Sequence, residues 1–256
     1  MSWASRRRLV ILLLIGAVAV AVIATLSVTV FYKAPSCTDG ALNQGETGVD
    51  CGGPCPYLCT EQERAPTVLF TKALPSGTGR TDIIASVENV NAGAAAKDVP
   101  YSVTLYGAGH VFIQQITGTL DLPPAATVPV FIPRVPIGSR PVVSAFLTID
   151  PTAPRWFALA RDTREVLVVT NTTLGGTSDA PRIDAILTNN NVSTLSDVQV
   201  VVLVHSTQGE VIAASATILP TVPAQGKAAA TFTWNSAFVS APAAIEVIPV
   251  IPVLSK

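Results

Sequence analysis

The chain has 256 residues, of which 49% are hydrophobic and only 13% are charged, and its formal net charge is −1 at pH 7. Proteins that bind nucleic acid through charge carry a basic surface, so this balance argues against nucleic acid as a partner. The 20 prolines, together with abundant Val, Thr and Ala, argue against long soluble helices and favour short strands joined by turns.

The first predicted element is a membrane-spanning helix that begins at Leu9 and ends at Phe31, and no residue in it is charged. At ~1.5 Å per residue such a helix measures about 34 Å, enough to cross a hydrocarbon core of about 30 Å. Arginines at positions 6–8 precede it and only Lys33 follows closely. The positive-inside rule therefore places residues 1–8 in the cytoplasm.

A cleaved signal peptide is the alternative interpretation of this segment. The apolar region of a signal peptide normally runs about 7–15 residues, and residues 9–31 form a longer stretch. We therefore predict an uncleaved, single-pass anchor in the cell membrane. The lipid bilayer is then the partner of residues 9–31, and the rest of the chain is extracytoplasmic.

The next segment, residues 32–64, contains all four cysteines of the chain: Cys37, Cys51, Cys55 and Cys59. A short polar stretch outside the membrane cannot bury a core and is most often held by disulfides. We predict two disulfides, and sequence alone leaves three pairings open. A tetrahedral zinc site is an alternative, but the spacing lacks C-x-x-C pairs, which a redox-active site would also favour.

The cysteine segment also carries four hard oxygen donors, Asp39, Asn43, Glu46 and Asp50. Calcium prefers carboxylate and amide oxygens, so a calcium site is one hypothesis, although the spacing is not that of an EF-hand. The alternative is that these side chains make turns by bonding to the backbone and keep the loop soluble. Apart from this calcium hypothesis, no cofactor is predicted.

The body of the chain contains an internal duplication at an offset close to one hundred residues. We predict the two copies at residues 65–152 and 160–256. The alignment places Asn91 on Asn190, Asp98-Val99 on Asp197-Val198, Gly109 on Gly209, and the opening strand Val68-Leu69-Phe70 on Val166-Leu167-Val168. Such self-similarity is the sequence signature of a repeated structural unit.

Each copy is predicted to form a β-sandwich of six or seven strands, because β-branched runs alternate with Gly, Asn and Pro clusters. The run VQVVVLV, residues 198–204, lacks polar alternation and indicates a central strand covered on both sides. Val103 and Val202, at paired positions, are predicted to be inside. Trp156 and Trp234 are interpreted as core or inter-domain residues.

The repeated pattern resembles the small extracytoplasmic immunoglobulin-like β-sandwiches of prokaryotes, such as FxLYD-type domains, CARDB adhesion-like domains and late-embryogenesis-abundant-type sandwiches. It is carried in copy one by Val87, Asn89, Asn91, Asp98, Val99, Gly109 and Val111, and in copy two by Thr188, Asn190, Asp197, Val198, Gly209, Val211 and Ile212. The resemblance implies an all-β protein of two tandem immunoglobulin-like sandwiches without catalytic residues. Because Thr188 aligns with Asn89, this asparagine is predicted not to be a functional site shared by the two copies.

Residues 37–55 resemble a second known pattern, C-x-DG-x-x-N-x-x-E-x-x-x-DCGG-x-C. This cysteine module recurs beside membrane anchors and adhesion-like domains in extracellular proteins. All of its defining positions are present in the chain. The resemblance implies an extracellular location and no particular activity.

No catalytic motif is found in the sequence. Its two histidines, His110 and His205, lie in different copies, and no nucleophile elbow, zinc-protease or phosphate-loop motif occurs. The charged run at Asp162, Arg164 and Glu165 is interpreted as a solvated connector. We predict a non-enzymatic surface protein with structural, adhesion or interaction roles toward an unknown protein or envelope partner. The alternative is an accessory subunit of an envelope secretion or transport machine.

Overall fold

A computed structural model describes residues 3–31, 36–159 and 167–253. The chain separates into two compact units, Met1–Pro54 and Cys55–Lys256. The charged run at Asp162, Arg164 and Glu165 and the predicted start of copy two at residue 160 lie outside the described residues.

The first unit begins with one long helix, α1 (Trp3–Phe31). The helix starts six residues before the predicted span because nothing in the sequence before Leu9 breaks a helix, whereas the predicted span was bounded by the absence of charge. Every described side chain of α1 is exposed. A helix that is apolar on all sides suits a lipid environment, and both a membrane anchor and a signal sequence have this property.

The remaining described residues of the first unit, 36–54, form a succession of turns with one short bridge between Gly48 and Cys51. Gly53 has φ +56°, and a Cβ at this position would overlap the backbone of Gly45. Glycine is therefore required where these two turns meet. All four cysteines of the chain are disulfide-bonded, as predicted.

The second unit contains thirteen strands in its described residues. Copy one consists of β1 (Thr67–Pro75), β2 (Arg80–Asn89), β3 (Ala94–Tyr106), β4 (Phe112–Leu122), β5 (Ala126–Pro136), β6 (Ser144–Ile149) and β7 (Trp156–Ala158). Two antiparallel sheets result, with the orders β1-β2-β5 and β4-β3-β6, and β7 pairs with the start of β3.

Copy two repeats the same arrangement with six strands. They are β8 (Leu167–Thr177), β9 (Ala180–Asn189), β10 (Leu195–Ser206), β11 (Val211–Val222), β12 (Lys227–Thr233) and β13 (Pro242–Val250). The sheets have the orders β12-β9-β8 and β11-β10-β13. Each strand of copy two thus has the neighbours of its counterpart in copy one, which confirms an all-β fold of two sandwiches.

An apolar core lies between the two sheets of each copy. Val103 and Val202, which the duplication pairs, are both fully buried in their respective cores, as predicted. Trp156 is 1% exposed in the core of copy one, and Trp234 packs against the core of copy two. Trp156 and Trp234 therefore both pack at a core, as interpreted from the sequence.

A third apolar cluster joins the two copies. It places Leu74 and Ile84 from sheet β1-β2-β5 against Val201, Leu203 and neighbouring residues of sheet β11-β10-β13. The second unit is therefore a stack of four sheets with three apolar layers. Val200, Val202 and Val204 face the core of copy two, while Val201 and Leu203 face copy one. The uninterrupted run VQVVVLV is covered on both sides, as predicted.

The structure corrects the alignment of the two copies at two places. Asn89 is equivalent to Asn189 rather than Thr188, because both amides bond the end of the fourth strand of their copy, at Leu122 and Val222. In the opening strand, Val68 pairs with Val87 as Val169 pairs with Leu187, so the alignment there was displaced by three residues.

Other points of the predicted alignment are confirmed. Asp98 and Asp197 have φ 51° and 52°, at equivalent bulges in β3 and β10, and Gly109 and Gly209 share a positive φ. Copy two is therefore one residue shorter than copy one between Asn191 and Asp197. It is one residue longer before Gly209.

Candidate functional site

The carboxylates of the cysteine module accept hydrogen bonds from nearby backbone. Asp50 accepts from the N–H groups of Asp39 and Gly40 at 3.0 Å each. Asp39 in turn accepts from the N–H of Ala41 at 2.9 Å, and Glu46 accepts from the N–H of Asp50 at 3.2 Å. The bond from Ala41 to Asp39 is that of an Asx-type turn. The bonds to Asp50 and Glu46 join more distant residues and tie successive turns together.

The calcium hypothesis concerns the same four side chains, Asp39, Asn43, Glu46 and Asp50. Asn43 donates its amide to Asp39 at 2.9 Å, while its Oδ1 atom is buried with no hydrogen-bond partner among the described residues. A calcium ion would find this oxygen free but would compete with the backbone for the carboxylates. The donor types fit calcium, and calcium binding stays a prediction.

The second unit has a cleft of about 570 Å³ beside the start of the unit. Its lining includes Tyr57, Lys97, Asp98 and Arg155, and the guanidinium of Arg155 lies 3.9 Å above the Tyr57 ring centroid. Such a cation–π contact orders both side chains. The cleft therefore has mixed charge, with one aromatic ring already occupied by Arg155.

A second cleft, of about 460 Å³, lies where the two copies meet. Asp82 and Arg134 line it from copy one, and Trp234 and Phe238 line it from copy two. Asp82 accepts the backbone N–H of Arg134 at 2.6 Å, where Arg134 has φ 52°. Trp234 and Phe238 stack edge to face at 5.1 Å, so their rings fill space at the junction and also pack on the core.

Polar contacts surround the apolar junction between the copies. Lys72 of β1 forms an ion pair with Glu210 at 3.3 Å, and the backbone N–H of Val253 donates to Asp121 at 2.8 Å. Val253 also packs with Ala95 and Phe157. An apolar centre with a polar rim is the anatomy of a specific protein interface, here within one chain.

Two buried asparagines hold equivalent turns in the two copies. Asn89 donates to the carbonyl oxygens of Ala94 and Pro123 at 2.9 and 2.7 Å, and its Oδ1 accepts the N–H of Asn91. Asn189 donates to Ser193 at 2.8 Å and accepts from Asn191 in the same way. Since buried polar groups need partners, both asparagines are structural.

The two histidines lie in separate environments. His110 lies in the turn Ala108–His110 with φ 59°. His205 lies 3.5 Å from Glu246 through Nε2 and 3.3 Å from the Gly209 carbonyl through Nδ1. Among the described residues, neither histidine forms a hydrogen bond with a hydroxyl or thiol group. Neither imidazole is therefore positioned to activate a hydroxyl or thiol nucleophile.

The outer sheet of copy two carries a hydrogen-bonded charged group. Asp184 accepts from the Arg182 guanidinium at 2.8 Å and from the Thr231 hydroxyl at 2.6 Å. The bond from Arg182, followed by that from Thr231, lowers the pKa of the Asp184 carboxyl. This charged group marks a face that is solvated rather than packed.

No model of a protein family matches the chain, and no curated protein matches it. Among solved structures, red sea bream transglutaminase shares 13% identity over 68% of this chain and 27% of its own, with a TM-score of 0.24. A β-glucuronidase from glycoside hydrolase family 2 shares 10% identity over 86% of this chain and 26% of its own, with a TM-score of 0.23. The chain spans about a quarter of each of these proteins. Similarity at this level carries no argument about function.

Proposed function

We propose that the chain is a single-pass, membrane-anchored protein that displays its β-sandwiches outside the cytoplasm for adhesion or for another structural interaction. The observation that carries this proposal is the combination of disulfides with a preceding apolar helix. All four cysteines are disulfide-bonded, and disulfides persist in oxidising compartments. The helix just before them is long enough to cross a membrane, so it can both deliver and hold the β-sheet unit there.

The orientation of the anchor follows from its flanking charges. Arginines 6–8 stand at the N-terminal end of α1, and the positive-inside rule keeps such residues in the cytoplasm. The resemblance of the repeats to immunoglobulin-like adhesion sandwiches supports an interaction role. The proposal assigns no catalytic step to the chain.

The rival function, an accessory subunit of a secretion or transport machine, would be favoured by an extended apolar face open to a larger partner. The extended apolar face of copy one, around Leu74 and Ile84, is covered by copy two. That surface is therefore not free for another protein. Display accordingly has the better support.

The experiment for this proposal is a topology assay on the full-length chain in cells. N-terminal sequencing of the membrane fraction should find the chain intact at residue 1, and external protease should digest the β-sheet unit in intact cells. Thiol labelling without reductant should modify none of the four cysteines. Leu13→Arg should reduce membrane insertion, since a charge near the helix centre costs about 2.5–3.5 kcal/mol.

The matched control is Leu13→Val, which keeps the segment apolar and should insert normally. A mature chain that begins after residue 25 would identify a cleaved signal sequence and reject the anchor. Four reactive thiols would reject the oxidising compartment.

A further inference from the structure

The outer face of sheet β4-β3-β6 is left open by copy two from Ser102 to Tyr106, whereas Val253 packs on Ala95 at the start of β3. Its outward residues on β3 are Ser102, Thr104 and Tyr106, because the alternate residues Val103 and Leu105 are buried. The paired strands add Gln115 and Thr117 on one side and Phe146 and Thr148 on the other. None of these seven side chains carries a charge.

Three aromatic rings form a row across one end of this face. Tyr106 lies between Phe112 and Phe146, with ring centroids 6.4 and 6.0 Å apart and edge-to-face geometry. Phe112 is 54% exposed and Phe146 is 53% exposed. Large apolar groups that stay exposed beside each other indicate a binding surface.

Copy two shows what this face looks like when a protein sheet covers it. The positions of Ser102 and Thr104 are occupied in copy two by Val201 and Leu203, which pair with Ala216 and Ala214 as the copy-one residues pair with Thr117 and Gln115. The equivalent of Thr148 is Ile248. In copy one, each of these apolar residues is replaced by a hydroxyl or an amide. At the end of the face, His205 and Glu246 stand where copy one has Tyr106 and Phe146.

This contrast argues against a second protein sheet as the occupant. Interface cores deplete serine and charged residues and enrich aromatic residues, and here most of the face is hydroxyl-bearing. An ordinary solvated face would carry charged side chains, as the outer face of copy two does at Arg182 and Asp184. A charged ligand would find no opposite charge among the seven residues and would be desolvated at a cost.

From these observations we infer that the β4-β3-β6 face binds a neutral carbohydrate chain. Sugar rings present C–H faces that pack on aromatic rings and hydroxyl groups that both donate and accept hydrogen bonds. Phe112 and Phe146 supply the apolar contact, and Ser, Thr and Gln side chains supply donors and acceptors for the hydroxyls. Ser102 and Thr148 already share a hydrogen bond at 2.8 Å, which orders that row. The inference deepens the proposed display function by naming its partner class, and it rests on that function for access to external glycans.

The test is affinity electrophoresis of the full-length chain in a polyoxyethylene detergent, because sugar-based detergents would compete. The gels contain a neutral polysaccharide, with hydroxyethylcellulose, dextran and galactomannan each tried, or anionic polygalacturonate. Retardation is expected with at least one neutral polymer and not with polygalacturonate. The double variant Phe112→Ala/Phe146→Ala should weaken this binding by at least about tenfold.

The control is Val168→Ala, which removes an exposed apolar side chain (42% exposed) from the outer face of copy two and should bind like the parent chain. Thermal unfolding of each variant checks that it folds. The inference is overturned if no neutral polymer retards the chain, or if the folded double variant binds as well as the parent. It is also overturned if sedimentation shows that Phe112 and Phe146 hold two molecules of the chain together as a dimer. Polysaccharide binding is measured on the purified chain, so its result does not depend on the result of the topology assay.

Discussion

The inner sheet of copy one and the outer sheet of copy two are built from equivalent strands. The sides of these two sheets that face away from the core of their own copy nevertheless have opposite chemistry. Ile84 pairs with Phe131 in the first, and Asp184 pairs with Thr231 at the same positions in the second. Ile84 is fully buried at the junction, whereas Asp184 is hydrogen-bonded to Arg182 on the surface. A few substitutions decide whether this sheet face packs on another sheet or meets solvent.

The difference also decides whether a further sheet could pack on the outer face of copy two. A contact between unlike faces can in principle repeat without end, and repeat proteins end such stacks with polar outer faces. Here the charged group around Asp184 occupies the position through which a further copy would pack. The Ser and Thr residues of the β4-β3-β6 face do the same at the other end.

Exchanging residues between the two faces should have the largest effect on the free energy of unfolding. Ile84→Asp places a carboxylate in the apolar junction without a partner, and it should lower the free energy of unfolding by about 4 kcal/mol or more. Urea unfolding of the chain, followed by tryptophan fluorescence, measures the change.

The reverse exchange, Asp184→Ile, is the matched control. It removes the ion pair with Arg182 and the hydrogen bond from Thr231. Solvent screens such surface contacts, so stability should change little while self-association rises in sedimentation. Equal stability of the two variants would show that the junction between the copies does not depend on its apolar residues.

A smaller loss of stability is expected on replacing the shared asparagines, where the two copies are alike. Asn89→Ala and Asn189→Ala each leave buried backbone carbonyls unpaired, at a cost of about 2–3 kcal/mol. Asn89 should have the larger effect because it donates to three carbonyls and Asn189 to two. Asn235→Ala, in an exposed loop, should leave the unfolding curve unchanged. A neutral result at Asn189 alone would restrict the structural role to copy one.

The smallest effect concerns the pH dependence of the polar face. The bonds from Arg182 and Thr231 lower the pKa of Asp184 in the folded chain. Its contribution to stability is therefore present above the unfolded pKa of about 3.9 and is lost as the pH falls through the lower folded value. Asp184→Asn should be slightly less stable than the parent chain at pH 7 and equal to it in strong acid. A difference that is constant over this range would rule out the carboxylate as its source.

Sequence patterns predicted which faces are apolar but not what covers them. The run at residues 198–204 indicated burial on both sides, and its second cover proved to be the other copy. The residue pattern of one strand does not show which distant segment of the chain packs on it, here a sheet about one hundred residues away in sequence. The asparagine alignment failed for a local reason, since three successive asparagines at 189–191 fit Asn91 in more than one register. The hydrogen bonds of Asn189 to the fourth strand and to the N–H of Asn191 distinguish it from its neighbours.

The cysteine module shows the same limit. Its composition predicted disulfides, and the four cysteines are indeed bonded. The role of Asp39 and Asp50 in holding turns depends on which N–H groups approach them, and neighbouring turns decide that. From the sequence alone, these carboxylates could therefore be interpreted either as calcium ligands or as residues that hold turns.

The junction between the copies has a consequence for the order of events during synthesis. The face formed by Leu74, Ile84 and Phe131 is complete once β5 has emerged, whereas β13, which helps to cover it, ends at Val250. At about 5–20 residues per second, roughly 5–25 s of translation separate the two events. Copy one is complete only once β7 has emerged at Ala158. For the rest of that interval a folded copy one exposes an uncovered apolar sheet face, on which a chaperone could bind.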